Sequence, residues 1–270
     1  MGNVFLAAAL IAAAPNANAA LPSAVDDAHP AIFVVRDADT TVYLFGTFHV
    51  LDGRSEWFKE RVKTAFDGSN ELVLETVIPD GPRPPPVSGR RPIPVMPSAS
   101  FLATTRMVIS AGRANGMQVA KGADITLRQA AESDGKPVLG LETPELQMTM
   151  FARMTAPSPA PVVALPKPPV SGRNADQMES LSSVMTEMQS AWKRGDQRIF
   201  VQMLEQLKVS SPDTYRMMFT ERNARWADWV SARMRTPGTV FVAVGAGHLA
   251  GKDSLLVRLA ELGIPSSRLN

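Results

Sequence analysis

The sequence predicts an α/β protein with a central sheet that is covered by helices on both faces. Short β-prone runs alternate with longer helical patterns, and several of these runs are continuously apolar. Continuous apolar runs are typical of strands that are buried on both faces, as in parallel sheets with crossover helices. The 270 residues are 45% hydrophobic and 20% charged, which is the composition of an ordinary globular protein.

The first half of the chain carries most of the predicted strands. Residues 31–35 and 41–45 are β-prone and are separated by Asp-Ala-Asp, which predicts a hairpin. Ser55 is predicted to cap a helix that runs to about Phe66, and 71–77 (ELVLETV) is a predicted buried strand. Two helices are predicted next, over 101–117 and 125–132, followed by a buried strand over 137–141. A further helix is predicted from Pro144 onward, with Thr143 as its cap.

Helical patterns dominate the second half. Helices are predicted over about 176–194, over 196–207 with Asp196 as the cap, and over 212–235. Residues 239–244 (TVFVAV) are the most β-prone run in the chain. A last helix is predicted to follow an Asp253 cap and to end at Gly263, with four residues facing inward: Leu255, Leu256, Leu259 and Leu262.

Three segments are predicted to lie outside this core. Residues 1–19 have the pattern of a signal peptide, because an apolar run too short for a membrane span of about 20 residues precedes a small-x-small site at Ala17-Asn18-Ala19. Residues 20–270 are then expected to form a single domain, secreted across the inner membrane into the periplasm without a stable membrane anchor. Proline-rich inserts at about 79–97 and 157–173 are predicted to be solvated loops.

Composition excludes several classes of chemistry and partner. The chain has no cysteine, so thiol nucleophiles, iron–sulfur clusters and zinc–thiolate sites are excluded. Its net charge is +2 and its basic residues are scattered, so no nucleic acid is expected as a partner.

Two of the three histidines occupy matching positions. His49 ends Gly-Thr-Phe-His after the strand VYLF, and His248 ends Gly-Ala-Gly-His after the strand VFVAV. Glycine lets the backbone turn as it leaves the sheet. Three residues later, a side chain projects above the carboxyl edge of the sheet, where α/β proteins bind ligands. His29, which precedes Pro30, is expected at the surface.

Two carboxylates end predicted strands in the same way, Glu75 in ELVLE and Glu142 in VLGLE. Two imidazoles with carboxylates are a natural ligand set for Mn²⁺, Co²⁺, Zn²⁺ or Fe²⁺. Such an ion lowers the pKa of a bound water toward about 7, and a second carboxylate then serves as general base. The alternative is structural: the histidines are hydrogen-bonded, Glu75 pairs with a Lys or Arg, and Glu142 is stabilised by a helix N-terminus.

These segments together resemble the TraB/GumN family, which includes the Tiki proteases and is distantly similar to erythromycin esterase-like (EreA) and ChaN-like proteins. The matching text is GTFHVLD, ELVLE, GADITLRQAAESDGKPVLGLETPELQ, ERN and VGAGHLAG. The resemblance implies an α/β core with one metal-type site. It makes His49 and His248 the expected metal ligands, and Glu75 and Glu142 a ligand or general base.

The resemblance also implies that three further polar residues face this site: Gln147 as a substrate-binding residue, and Arg222 and Asn223 as catalytic residues. The sequence alone is equally consistent with Arg222 and Asn223 as solvated positions of a long amphipathic helix. Asp124 follows a glycine at a helix start and fits a helix cap equally well, so it is not counted as a site residue.

Three functions are consistent with the sequence. The first is an exported metal-dependent hydrolase, peptidase-like, that uses a metal-activated water. The second is a metal-independent, esterase-like hydrolase with His49 as the base toward a water. The third is a non-catalytic envelope protein that binds a peptide or glycan, with the proline-rich loops as docking segments. Tiki members resemble peptidases whereas GumN-type members are associated with polysaccharide gene clusters, so the resemblance does not transfer a substrate.

Overall fold

The computed structural model describes residues 28–77, 99–154 and 173–269. The predicted signal peptide and the insert predicted at 79–97 lie outside the described residues. The insert predicted at 157–173 also lies outside them, except for Arg173, which begins a helix.

Within the described residues, six strands form one mixed sheet in the order β4-β3-β5-β2-β1-β6. In chain order, the strands are β1 (Ile32–Arg36), β2 (Thr40–Thr47), β3 (Glu71–Thr76), β4 (Val138–Glu142), β5 (Gly238–Gly245) and β6 (Ser267–Arg268). The four neighbours β4, β3, β5 and β2 are parallel to one another. Strand β1 pairs antiparallel with both β2 and β6, which confirms the predicted hairpin.

Helices connect the strands and fill the second half of the described chain. They are α1 (Glu60–Asp67), α2 (Ala99–Ala114), α3 (Ala123–Ser133), α4 (Pro144–Met154), α5 (Arg173–Lys193), α6 (Arg198–Ser210), α7 (Pro212–Tyr215), α8 (Glu221–Arg233) and α9 (Leu255–Glu261). Among the residues described, none of these helices combines the length and the apolarity needed to cross a membrane.

The sheet buries apolar side chains on both faces, which confirms the predicted α/β class. One face packs against Trp226 and Val230 of α8 and against Leu255, Leu256 and Leu259 of α9. Leu262, which was predicted to face inward, is 48% exposed, because it follows the end of α9. The other face packs against a larger cluster from α1, α2, α3, α5 and α6, in which the rings of Phe45 and Trp57 stack 5.5 Å apart. The indole Nε1 of Trp192 on α5 donates to the backbone oxygen of Gly46 at 2.7 Å, which attaches this layer to β2.

Two predicted helix caps are wrong, and tertiary packing is the reason in both cases. Residue Ser55 caps no helix, because α1 begins only at Glu60 and the preceding segment buries Trp57 against Phe45. The last helix is capped by Ser254, whose hydroxyl accepts from the backbone of Val257. The Asp253 carboxylate instead accepts hydrogen bonds from Lys208, Tyr215 and Arg258.

Two further differences arise from position in the sheet and from helix geometry. Strand β4 is not buried as predicted, since it lies at the sheet edge and leaves Leu139 45% exposed. The single helix predicted over 212–235 is interrupted by a π-helical turn, Arg216–Thr220. A π turn contains one extra residue per turn and therefore rotates the next turn of the helix about its axis. Here both Phe219, in this turn, and Arg222, in the next, are buried.

Candidate functional site

The two histidine motifs leave the sheet side by side. Strands β2 and β5 are adjacent and parallel, and Thr47 lies opposite Gly245. His49 comes after the end of β2, and His248 lies in the 3₁₀ turn Ala246–Leu249 that comes after β5. Both imidazoles therefore lie at the carboxyl edge of the sheet, as the matching motifs predict.

Two glycines permit this arrangement by close backbone approach. A Cβ atom on Gly46 would lie 3.1 Å from the Cα of Ala246, so the 3₁₀ turn after β5 packs directly on β2. A Cβ atom on Gly122 would overlap the backbone oxygen of His49. The start of α3 consequently lies against the His49 segment, where the backbone nitrogen of Ala123 donates to the oxygen of Phe48 at 3.0 Å.

A fully buried guanidinium joins the two predicted carboxylates. Arg222 is 0% exposed, and its Nε donates to both carboxylate oxygens of Glu142 at 3.0 Å. Its Nη2 donates to Glu75 Oε2 at 2.7 Å. Burial acts to lower the pKa of Arg222, but the charges of Glu75 and Glu142 raise it, so the guanidinium stays charged.

The carboxylate of Glu75 is held ionised by the same contact. Burial acts to raise the pKa of Glu75, but the Arg222 charge, with smaller contributions from His248, His49 and the Gly245 N–H, lowers it to about 2. The Gly245 nitrogen donates to Glu75 Oε1 at 2.7 Å. The ionised carboxylate is thus bound to the strand end from which the second histidine motif begins.

The imidazole of His248 is bonded on both nitrogens. Its Nδ1 lies 2.7 Å from Asn223 Oδ1, and the Asn223 amide nitrogen donates to the backbone oxygen of Asp253, also at 2.7 Å. Because the amide oxygen only accepts, His248 Nδ1 carries the hydrogen and Nε2 accepts from Arg222 Nη1 at 3.2 Å. Burial lowers the pKa of His248 to about 3, which keeps the ring neutral.

The second histidine has a different environment. His49 Nδ1 lies 3.0 Å from Asp124 Oδ1, whereas His49 Nε2 is buried and has no hydrogen-bond partner among the described residues. Burial acts to lower the pKa of His49, but the Asp124 carboxylate and the charge of Glu75 raise it above 6.5. The side chain of His49 is 14% exposed, compared with 0% for His248.

The predicted site residues therefore fall into three groups. Five of them form one bonded cluster at the sheet edge, which we call the Arg222 cluster: Glu75, Glu142, Arg222, Asn223 and His248. His49 lies outside these bonds but is close enough for the charges of Glu75 and Arg222 to shift its pKa. Gln147 lies half-buried on α4, and none of the bonds that hold the cluster together involves its side chain.

Asp124 contacts His49 but is not one of the site residues predicted from the sequence. Its signal was present in the sequence: Gly122-Ala123-Asp124 opens the longest segment of the matching text, and Gly122 allows the contact with His49. A carboxylate in the first turn of a helix also stabilises the helix dipole. The sequence therefore did not distinguish this role from a contact with the imidazole.

The predicted metal ligands do not fit one shared ion as they are placed. Among the described residues, no three His, Asp or Glu side chains are arranged to hold an ion together. A ligand set of His49, His248 and Glu75 needs the lone pair of His248 Nε2, which accepts from Arg222 at 3.2 Å. The buried Nε2 of His49, in contrast, faces no partner in the described part of the chain. Metal ligation by these residues stays a prediction.

Comparison with known proteins identifies a family. The sequence model of the TraB/PrgY/gumN family matches residues 31–85 and 89–268, which is nearly the whole chain and includes every residue of the candidate site. Comparison with curated proteins gives no match. Comparison with solved structures gives no match either.

Replacing Arg222 by Met is expected to destabilise the protein by about 3–5 kcal/mol, because two buried carboxylates lose their counter-charge. Arg225 offers a matched control, since its Nη2 also donates to Glu142, at 3.1 Å, but its side chain is 47% exposed. Arg225→Met should cost only about 0–1 kcal/mol. Urea unfolding measures both, and equal losses would show that Arg222 is not the charge on which the cluster depends.

Stability should fall as the pH decreases from 6.5 to 5. The pKa of His248 is about 3 in the folded protein and about 6.5 for an unperturbed histidine, so in this window the unfolded chain binds a proton that the folded chain does not. The expected loss is about 2 kcal/mol. His49, with its raised pKa, gains its stabilising proton at higher pH and contributes little in this window.

The measurement is the free energy of urea unfolding at the two pH values. His248→Asn should abolish most of the pH dependence, although it lowers stability at both values. His29→Asn is the control, because His29 lies at the surface, 45% exposed, and should leave the slope unchanged. An unchanged slope in His248→Asn would mean that another group binds the proton.

Proposed function

Because the chain belongs to the TraB/PrgY/gumN family, we propose that it is a hydrolase in which His49 activates a water molecule. The observation that carries the proposal is the environment of this ring. Asp124 lies 3.0 Å from Nδ1, and the opposite nitrogen, Nε2, has no partner among the described residues. A histidine that is oriented by a carboxylate and has a free second nitrogen is the arrangement of a general base.

The proposed reaction uses this ring twice. With Asp124 accepting the hydrogen of Nδ1, the lone pair of Nε2 takes a proton from water, and the oxygen attacks the carbonyl carbon of an ester or amide. The resulting imidazolium is stabilised by Asp124 and by the negative charge of Glu75, which raise the pKa of His49. The imidazolium then protonates the leaving group as its bond to carbon breaks.

The Arg222 cluster acts through its neighbours in this proposal. Arg222 and His248 are completely buried, and the side chain of Glu142 is nearly so. They keep Glu75 ionised and hold the strand ends together, so Glu142, Arg222 and Asn223 are positioning residues. His49, outside the cluster, has a 14% exposed side chain and Glu75, within it, a 9% exposed one, so these two are the groups expected to meet water and substrate.

Export belongs to the same proposal. The segment of residues 1–19, which has the sequence pattern of a signal peptide, supports a protein that is secreted across the inner membrane and acts in the periplasm on a peptide or another acyl compound. The Gln147 position on α4 remains the proposed substrate-binding position from the family resemblance.

A metal-dependent, peptidase-like hydrolase is the second candidate. One observation favours it: a buried imidazole nitrogen without a partner among the described residues, such as His49 Nε2, is also a free ligand for Mn²⁺, Co²⁺ or Zn²⁺. In this candidate His49, Glu75 and His248 hold the ion, which supplies an activated water when bound. The arrangement requires Arg222 to release His248 Nε2, since Arg222 Nη1 lies 3.2 Å from that nitrogen.

Replacing His49 by Ala is expected to lower kcat/KM for p-nitrophenyl butanoate by about 10²- to 10⁴-fold, because the base is lost. In the wild type, the rate should rise with pH through a midpoint above 6.5 as His49 loses its proton. Asp124→Asn should lower the rate by about 10²- to 10⁴-fold through the wrong tautomer. It should also move the midpoint of the remaining activity to lower pH, because the carboxylate that raises the pKa is gone.

The control is His29→Ala, which changes a surface histidine that makes none of the contacts of the candidate site and should keep full activity. Hydrolysis that survives in His49→Ala would overturn the proposal. Absence of turnover in the wild type, on esters and peptides alike, would favour the non-catalytic function of binding a peptide or glycan.

Metal analysis separates the two hydrolase candidates. The His49–Asp124 proposal predicts the same rate after dialysis against a chelator and after addition of Mn²⁺, Co²⁺ or Zn²⁺. The metal-dependent candidate predicts about one ion per chain by elemental analysis, loss of that ion in His49→Ala or His248→Ala, and activity only with the ion restored.

A further inference from the structure

An apolar cavity of about 70 Å³ adjoins the candidate site. Its floor is formed by both histidine motifs. Residues 47–50 at the end of β2 and residues 245–247 at the end of β5 line it. Its remaining walls come from α5, α6 and the π turn, through seven side chains: Leu181, Val184, Met185, Met188, Phe200, Met203 and Phe219.

The cavity and the proposed base share a wall. His49 itself lines the cavity, and its Nδ1 lies 3.0 Å from Asp124 Oδ1. Phe219 separates the cavity from His248, with the two ring centroids 4.9 Å apart. Gly247 makes this packing possible, because a Cβ atom there would lie 3.2 Å from the Phe219 ring. A group bound in the cavity therefore contacts His49 and not the charged Arg222 cluster.

The lining determines which chemistry fits. The seven wall side chains carry no charge and no strong hydrogen-bond donor, so an ionised or sugar-like group placed among them would lose its water without compensation. Methionine is flexible and polarizable and adapts to differently shaped apolar groups. The cavity is thus suited to a short aliphatic chain.

We propose that this cavity binds a short aliphatic group on the carbonyl carbon of the substrate. The inference rests on the proposed function. The substrate is then an ester or amide, R–CO–X, in which R enters the cavity and the carbonyl carbon lies next to His49. Water adds its oxygen to that carbon, the C–X bond breaks, and the products are R–COOH and H–X.

The size of the cavity limits R. An apolar cavity of about 150 Å³ takes a benzene molecule, and this cavity is about 70 Å³. A chain of roughly three or four carbons fits such a space. A butanoyl ester and a peptide cleaved after Val or Leu both place a short aliphatic group next to the carbonyl carbon. A series of esters and anilides distinguishes these two classes of substrate.

Direct binding is tested with pentan-2-one, which has a propyl group on a carbonyl carbon and cannot be hydrolysed. In full-length protein labelled with ¹³C at the methionine methyl groups, the ketone should shift the signals of Met185, Met188 and Met203. The exposed Met107, outside the cavity, should not respond. Val184→Phe fills the cavity and should abolish the shifts, while Val209→Phe, the same change at an exposed position of α6, should keep them.

Turnover is tested with p-nitrophenyl esters of increasing chain length and with N-acetylated p-nitroanilides of Ala, Val, Leu and Glu. One buried methylene is worth about fourfold, so butanoate should exceed acetate by about tenfold in kcat/KM, with no further gain at octanoate. Val184→Phe should remove this preference and Val209→Phe should retain it. Activity on the Val and Leu anilides but not on Glu identifies a peptide source, and activity on the esters alone identifies an acyl ester source.

The outcomes separate this inference from the proposed function. Ketone-induced shifts that persist in His49→Ala, with no hydrolysis in the wild type, support the cavity and overturn the hydrolase. Hydrolysis that depends on His49 but shows no chain-length preference, together with unshifted methionine signals, overturns the cavity as the acyl site and leaves the hydrolase standing.

Discussion

The buried guanidinium of Arg222 is the interaction on which the sheet edge depends. Burying a charge is costly unless it is paired and hydrogen-bonded, and Arg222 is paired with Glu75 and Glu142 at once. These partners belong to β3 and β4, while the third contact, His248, comes directly after β5. One side chain of α8 thereby connects three neighbouring strand ends, and its loss would leave two buried carboxylates without their shared counter-charge.

This pairing also determines which groups are free for chemistry. The guanidinium holds Glu75 ionised, and burial, with a smaller contribution from the guanidinium charge, keeps His248 a neutral acceptor, so the charge states of both groups are set inside the protein. His49 lies at the same sheet edge, after β2 and outside the Arg222 cluster. It is bonded to Asp124, and its Nε2 has no partner among the described residues. The site thus has two parts. The buried Arg222 cluster keeps Glu75 ionised, and the imidazole of His49 is available to bind or transfer a proton.

A feature of the fold or the site is predictable from the sequence when residues close together in the chain determine it. The strand runs and the glycine three residues before each histidine are local features, and they correctly placed His49 and His248 at one sheet edge. The position of β4 at the edge depends on strand order, which no local pattern encodes. Arg222 was ambiguous because the π turn changes which side of the helix faces inward, and Asp124 was ambiguous because a helix cap and a histidine partner require the same residue.

The chemistry and the proposed specificity are carried by different parts of the fold. The charged contacts join strand ends and α8, and replacing Arg222 there would leave two buried carboxylates without their shared counter-charge. The cavity walls come mostly from α5 and α6, through methionines and aliphatic residues that make no directional bonds. Exchanging one apolar side chain for another of similar volume there changes the shape of the cavity and usually costs less than about 1.5 kcal/mol. The fold can therefore change the acyl group that it accepts without altering the charges that hold Glu75 and His248 in place.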